Sequence, residues 1–384
     1  MDLDLLHTRY AVTSLKGRYI TLEHIKPVLD GLNTSRQLAI IGKSVKNKPI
    51  YAYTIGTGKI KIFLWSQMHG NESTTTKALL DFLTFLKSSD SLANQLLARF
   101  TFLALPMLNP DGAAVYTRVN GNHVDLNRDS QLLSQPESKL LRQMFDIFKP
   151  DYCFNLHDQR TIFGVADSGL PATLSFLAPS FNDARDINDC RRKAIELIAT
   201  VNEKLQPFLP GQIGRFDDSF NLHCIGDTMQ SLGVPTLLFE AGHFQADYDR
   251  EISRKFVFMA FVLSFKALSE NDIVSNGINK YLNIPQNKVV FYDFMYKNVK
   301  INYDGIEKMT NFAVQYKEEI IDNQLFFNAY FAKIDDLAGF YGHYEFDAKG
   351  AQYSDSTGFY PVLNQKADFY LDNNIKCVNG MIKI

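Results

Sequence analysis

Ile60, Ile62, Phe63, Leu64 and Trp65 form a short apolar run, and Ala78, Leu79, Phe82, Leu83 and Leu86 follow it at helical spacing. A buried strand passing straight into a helix is the unit from which layered α/β domains are built. The pattern returns along the chain. Apolar strand-like runs stand at 100–105, 152–156 and 235–239, with helical patterns at 134–148, 184–205 and 248–268. Two shorter runs, 38–41 and 50–55, are joined by turn-rich residues and read as a hairpin. One or two short helices are expected around 20–29, and Ser134-Gln-Pro-Glu137 reads as a capping box opening the helix that ends near Phe148. The expectation is an α/β fold with a mixed, mostly parallel central sheet flanked by helices.

In such sheets the ligand site lies beyond the carboxyl ends of the strands. Polar residues gather at those ends: His69 and Glu72 after 60–65, Asn109 to Gly112 after 100–105, His157 after 152–156, and Glu240 after 235–239. His69 and Glu72, three residues apart on a strand-to-helix turn, can aim at one point. An imidazole and a carboxylate so placed suit zinc, which in catalytic sites takes three protein donors and keeps a fourth position open. His157, in Asn155-Leu-His-Asp-Gln159, is the best placed third donor. Hydrolysis at such a metal needs a general base and a cation for the developing oxyanion. Glu240 ends an apolar run, where burial would raise its pKa toward a useful value, or where it would cap a neighbouring Arg.

The ordered set His69-x-x-Glu72, Asn109-Pro-Asp-Gly112, Asp125-Leu-Asn-Arg128, His157 and Glu240 resembles the zinc metallocarboxypeptidase family of carboxypeptidase A, particularly its intracellular bacterial and cytosolic branches. The resemblance covers roughly residues 40–265. It implies that His69, Glu72 and His157 bind one Zn2+ and that Glu240 activates the attacking water and protonates the leaving amine. It also implies that Arg118 polarises the scissile carbonyl and that Asn127 and Arg128 hold the substrate's terminal carboxylate. A planar guanidinium suits that last task because it binds a carboxylate through two parallel hydrogen bonds. Asp125 matches the carboxylate that orients the first zinc-binding His. One departure stands out: the family's mobile Tyr has no counterpart, since no Tyr occurs between His157 and Glu240, where Phe216 and Phe220 lie instead. Arg215, Asp217 and Asp218 are polar candidates for the pocket rim, and His123, His223 and His243 are structural or rim residues.

The expected activity is therefore zinc-dependent release of a C-terminal amino acid from a peptide with a free carboxylate. A related amidohydrolase that deacylates N-acyl amino acids, as in the succinylglutamate desuccinylase and aspartoacylase group, shares several of these motifs and often carries a small β-rich C-terminal domain. A non-catalytic peptide-binding protein is the third reading, disfavoured because no expected site residue is missing. The catalytic domain is expected to span 1–275. From 285 to 384, aromatic and β-branched runs suggest a small β-rich accessory domain, with a short helix near 305–310.

The remaining bounds are compositional. Forty basic against forty-two acidic side chains give a net charge of −2, which argues against nucleic acid or an anionic membrane as partner. The N-terminus, Met-Asp-Leu-Asp-Leu-Leu-His, lacks the basic and apolar regions of a secretory signal, so a cytoplasmic protein is expected. The longest apolar run, Phe256 to Phe265, is too short to span a bilayer. Four scattered Cys suggest neither a disulfide framework nor a metal cluster. Oligomeric state is left open.

Overall fold

In the computed structural model, which describes residues 2–33 and 37–383, the run at 60–65 becomes the middle of an eight-stranded sheet. The chain enters through α1 (Leu3–Tyr10) and α2 (Leu22–Leu32), then makes β1 (Leu38–Lys43), β2 (Pro49–Gly56) and β3 (Ile60–Ser66). After α3 (Thr74–Leu86) and α4 (Ser91–Arg99) come β4 (Phe100–Leu105), α5 (Pro110–Val115), α6 (Pro136–Phe148) and β5 (Tyr152–Asp158). A short β6 (Phe163–Val165) precedes β7 (Leu174–Leu177), α7 (Asp189–Leu205), β8 (Ile213–Arg215), α8 (Ile225–Ser231), β9 (Thr236–Ala241), α9 (Glu251–Glu270) and α10 (Gly277–Leu282).

The sheet order is β1-β2-β4-β3-β5-β9-β7-β8. Its centre, β4-β3-β5-β9, is parallel, and antiparallel pairs lie toward the flanks at β1-β2, β2-β4 and β9-β7. From β3 the chain passes to β4 on one side and later to β5 on the other. That reversal opens a crevice at the carboxyl ends of β3 and β5, where ligands bind in open α/β sheets.

Both faces of the central strands are apolar because helices cover both. Ile62 and Leu64 of β3 join the core that includes α3 and α9, while Phe63 and Trp65 point the other way and pack with Leu141, Phe145, Ile225 and Met229 of α6 and α8. Twelve of the thirteen α3 residues are buried. Phe82 stacks on Phe265 at 5.2 Å, and Phe102 and Phe154 meet the same ring edge-on or tilted at 4.9 and 5.0 Å. Each such side chain contributes about 1.5–3 kcal/mol through burial. Two ion pairs tie α3 to α9: the buried Lys77 to the partly exposed Glu251 at 2.5 Å, and Asp81 to Arg254, both buried, at 2.6 Å.

Three local expectations are corrected. Ser134 caps nothing: its hydroxyl binds Asp129, Glu137 accepts from the Val45 N–H, and α6 begins with Pro136 in its first turn. The helix expected from 184 starts at Asp189, because the Asn188 side chain accepts the Arg191 N–H at 2.8 Å and caps it there. The helix expected near 305–310 is a hairpin. Asp304 and Gly305 take positive φ (50° and 85°) in a two-residue turn, and the following residues are strand.

The chain forms two compact units, residues 1–159 with 172–287 and residues 160–171 with 288–384. The second unit contains β6 paired with β10 (Asn287–Val289), and a sheet of β11 (Phe291–Tyr303), β12 (Ile306–Ile321), β13 (Gln324–Asp335) and β14 (Tyr341–Asp347). A smaller sheet joins β15 (Tyr353–Ser354), β16 (Phe369–Leu371), β17 (Ile375–Val378) and β18 (Met381–Ile382). Its core is aromatic, with Tyr296 stacked on Phe312 at 5.2 Å and Tyr353 on Phe369 at 5.4 Å. No described helix is long and apolar enough to cross a membrane. All four Cys are free.

Candidate active site

The turn between β3 and α3 carries His69 and Glu72, and its shape is held from three sides. Asn109 caps α5 by accepting the Gly112 N–H at 2.8 Å and donates its Nδ2 to the Met68 carbonyl at 3.1 Å. Gly70 lies against the Gly112 backbone so closely that a Cβ would sit 2.0 Å from its carbonyl carbon, which admits only glycine. Asp158, at the end of β5, accepts the Thr74 and Thr75 N–H groups at 2.7 and 3.1 Å, so a carboxylate closes the amino end of α3. The Asn-Pro-Asp-Gly segment thus braces the turn; its Asp111 in turn accepts from the Ser44 hydroxyl and the Lys46 N–H of the β1-β2 turn.

The two residues expected just past strands lie within them. His157 belongs to β5 and Glu240 to β9, and they are register partners in a parallel pair, so they project from one face. His69, Glu72 and His157 come together, all buried, with one donor atom of each lying within 4.8 Å of the others. Glu72 Oε1 lies 2.8 Å from His69 Nδ1, and its Oε2 lies 2.8 Å from His157 Nδ1. The two Nδ1 atoms are 3.1 Å apart. Asp125 Oδ1 sits 3.0 Å from His69 Nε2, which assigns the proton to that nitrogen and turns the Nδ1 lone pair toward the cluster.

This cluster suits a zinc ion. Tetrahedral zinc with bonds of about 2.0–2.1 Å separates its donors by about 3.3 Å, close to the spacings here. Two nitrogen donors and one carboxylate oxygen are a usual catalytic set, and two imidazole nitrogens facing at 3.1 Å need a cation or a shared proton between them.

Electrostatics point the same way. Burial raises the Glu72 carboxyl, but His69 and His157 outweigh it and hold the group well below the usual range. Burial also pulls both imidazoles down; it wins at His157, while Glu72 and Asp125 reverse it at His69. Asp125 is lowered despite burial, through His69 and Arg118. Glu240 is pushed well above the carboxylate range by burial first, then by the charges of Glu72 and Asp158, and its Oε2 has no hydrogen-bond partner.

Arg118 stands at this cluster, half exposed, with Nε on Asp125 at 3.0 Å and Nη1 3.3 Å from Glu72. Asn127 and Arg128 lie on a short 3-10 turn, Leu126–Arg128, and line a cavity of 450 Å³ that Glu240 also lines. Asn127 Oδ1 accepts the Ile225 N–H at 3.0 Å, leaving its Nδ2 as the donor end. Phe220 lines the cavity as well. Of the three rim candidates only Asp217 reaches it: Arg215 is buried over the Tyr281 ring, and Asp218 pairs with Arg191 at 2.5 Å. His243 is buried with its ring against Tyr248 and is not part of the donor cluster.

Two residues outside the expected set take part. Asp158 was adjacent to His157 in the same motif. Asp227, in the first turn of α8, lines the cavity, and burial pushes its carboxyl up to about 7 against the pull of backbone N–H groups at Asn221 and Ser180 and of Arg191 and Arg128. Its signal was an acid in the first turn of a helix too short to show periodicity.

Residues 29–150 match the family model of the zinc carboxypeptidases. Carboxypeptidase 2 of Trichophyton rubrum is 29% identical over 100 residues, which is 26% of this chain and 19% of that protein. The chain therefore matches about a fifth of the length of that relative. Among solved structures, a metallo-carboxypeptidase from Burkholderia cenocepacia has the same fold with TM-score 0.52, 18% identity and coverage of 66% of this chain and 70% of that one. Carboxypeptidase A from Helicoverpa armigera has TM-score 0.51, 16% identity and coverage of 70% and 80%.

Proposed function

We propose that this protein is a zinc-dependent hydrolase that releases the C-terminal amino acid of a peptide by cleaving the amide beside a free carboxylate. The observation that carries the reading is the buried donor set His69, Glu72 and His157 beside Glu240, an unpaired carboxylate that opens on the cavity of Asn127 and Arg128. His69, Glu72 and His157 would hold one Zn2+, which when bound supplies a Lewis acid for the carbonyl and acidifies water.

The remaining chemistry belongs to side chains. Glu240 takes the proton of the attacking water on Oε2 and returns it to the leaving amine. Asp125 keeps His69 in one tautomer and orientation. The Arg118 guanidinium adds positive charge where the carbonyl oxygen becomes negative. Arg128 binds the terminal carboxylate through paired N–H donors, and Asn127 Nδ2 adds a third. Catalysis is assigned to the first unit and an accessory role to the β-rich second unit; a cytoplasmic location completes the reading.

The test is mass spectrometry of short peptides mixed with N-acyl amino acids, incubated with the protein with and without a zinc chelator. Chelator-sensitive loss of C-terminal residues is expected. Deacylation with peptides untouched would replace this reading by an amidohydrolase.

A further inference from the structure

β3 ends at Ser66, and the chain leaves it through Gln67, which is buried and takes φ +48°. A side chain in that left-handed region crowds the backbone, whereas glycine adopts it freely. What the glutamine adds is an amide. Its Nε2 donates one N–H to the Gly70 carbonyl at 2.9 Å and the other to the Ile20 carbonyl at 2.8 Å. Its Oε1 is buried with no partner among the described residues, so the side chain acts here as a donor alone.

The first bond closes the turn that carries His69 and Glu72. Four carbonyls in a row are held there: Gln67 by the Asn109 N–H at 3.1 Å, Met68 by Asn109 Nδ2, His69 by the Glu72 N–H at 3.1 Å, and Gly70 by Gln67. The second bond reaches out of the turn to residues 11–21, an irregular stretch between α1 and α2. That stretch offers its carbonyls in series to side chains of the first unit. Leu15 accepts from Arg254, Gly17 from Lys77, Arg18 from Ser73 and Ile20 from Gln67, all at 2.6–2.8 Å. Gln67 and Ser73 stand immediately before and after the turn, so the stretch is tied to both of its ends.

We propose that Gln67 is the positioning residue of this turn, and that through it the packing of residues 15–20 is linked to the loading of His69, Glu72 and His157 with zinc. The metal's identity rests on the hydrolase reading; the linkage rests on the hydrogen bonds. Such coupling is reciprocal: an ordered stretch that favours the geometry binding the ion must itself be held more tightly once the ion is bound. A residue serving only the fold would leave zinc affinity and this coupling unmoved.

Two variants test it. Gln67→Leu keeps the bulk and the crowded backbone but loses both donors, whereas Gln67→Gly loses the donors and relieves the backbone. Zinc affinity, measured by competition against a calibrated chelator, falls by about 10–100-fold in both, the usual cost of removing a group that supports a metal donor. Hydrogen exchange at residues 15–22, followed by mass spectrometry, slows when zinc binds the wild type and is indifferent to zinc in the variants. Metal-free melting temperature checks folding, and Gln67→Gly, free of the crowding, serves where Gln67→Leu does not fold. Zinc affinity in Gln67→Gly within about twofold of wild type overturns the proposal, against the tenfold or greater loss expected for a supporting group. So does exchange at 15–22 that ignores zinc in the wild type. Neither measurement involves a peptide. Linked zinc binding and exchange with no peptide cleaved sinks the hydrolase reading and keeps the role of Gln67. Peptide cleavage with zinc affinity untouched in Gln67→Gly does the reverse.

Discussion

Asp158 couples the His69, Glu72 and His157 cluster to α3, and its removal should damage both. In Asp158→Ala, two buried N–H groups, those of Thr74 and Thr75, lose their acceptor. Each orphaned buried donor costs about 1–3 kcal/mol, so the pair sets a ceiling of about 6 kcal/mol. Partial relaxation and water entry should leave a loss of about 2–4 kcal/mol. At about 2–4 °C per kcal/mol for a large domain, the melting temperature falls by about 4–16 °C. The backbone N–H of Asp158 also donates to Glu72 Oε2 at 3.1 Å, so a shift at the strand end moves a proposed zinc donor. Loss of such supporting groups typically costs 10–100-fold in metal affinity. Thermal melting with and without zinc, and competition against a calibrated chelator, read both effects. A variant that melts within 1 °C of wild type and binds zinc within twofold would show that the carboxylate supports neither the helix nor the cluster.

Glu240→Gln keeps shape and volume but removes the proton acceptor; kcat should fall by about 10²–10⁴ while zinc content by elemental analysis stays at the wild-type value. Arg254→Ala leaves the buried Asp81 carboxyl without its guanidinium partner, and chemical denaturation should report a loss of about 3–5 kcal/mol; less than 1 kcal/mol would mean the pair is not a fastening between α3 and α9. For Asp227 the folded carboxyl titrates near 7, above its unfolded value of about 3.9, so the folded state binds the proton more tightly. Its contribution to stability is present below about pH 4 and is lost as pH rises through 7. Asp227→Asn should accordingly gain melting temperature relative to wild type between pH 4 and 8, and parallel curves would contradict the burial argument.

The sheet was legible because β3, β4, β5 and β9 are covered on both faces and therefore read as unbroken apolar runs. His69, Glu72, His157 and Glu240 could be picked out for the same reason, each being a polar residue at the abrupt end of such a run. β5 and β9 each continue two residues further than the apolar signal, so His157 and Glu240 lie inside them. Between His157 and Glu240 the signal fades. β7, β8 and α8 have three to seven residues each, too few for either period to show, and Asp227 was lost with them. In the C-terminal region, the Asp304-Gly305 pair was a hairpin signal that a helical reading of the next few residues obscured. Ser134 and Glu137 have the capping-box spacing, but tertiary partners at Asp129, Val45 and Asn120 claim both side chains.

The excursion of residues 160–171 into the second unit makes that unit discontinuous in sequence. The chain leaves the first unit two residues after Asp158, contributes β6, returns for β7 through α10, and only then commits to the second unit. No single cut separates the two. Ending the chain at 287 would strand β6 without β10, directly downstream of the strand that carries His157. A gene rearrangement with one crossover could not transplant the β-rich unit to another protein intact. Gaining or losing it intact requires two coordinated events, one of them directly after the strand that carries His157.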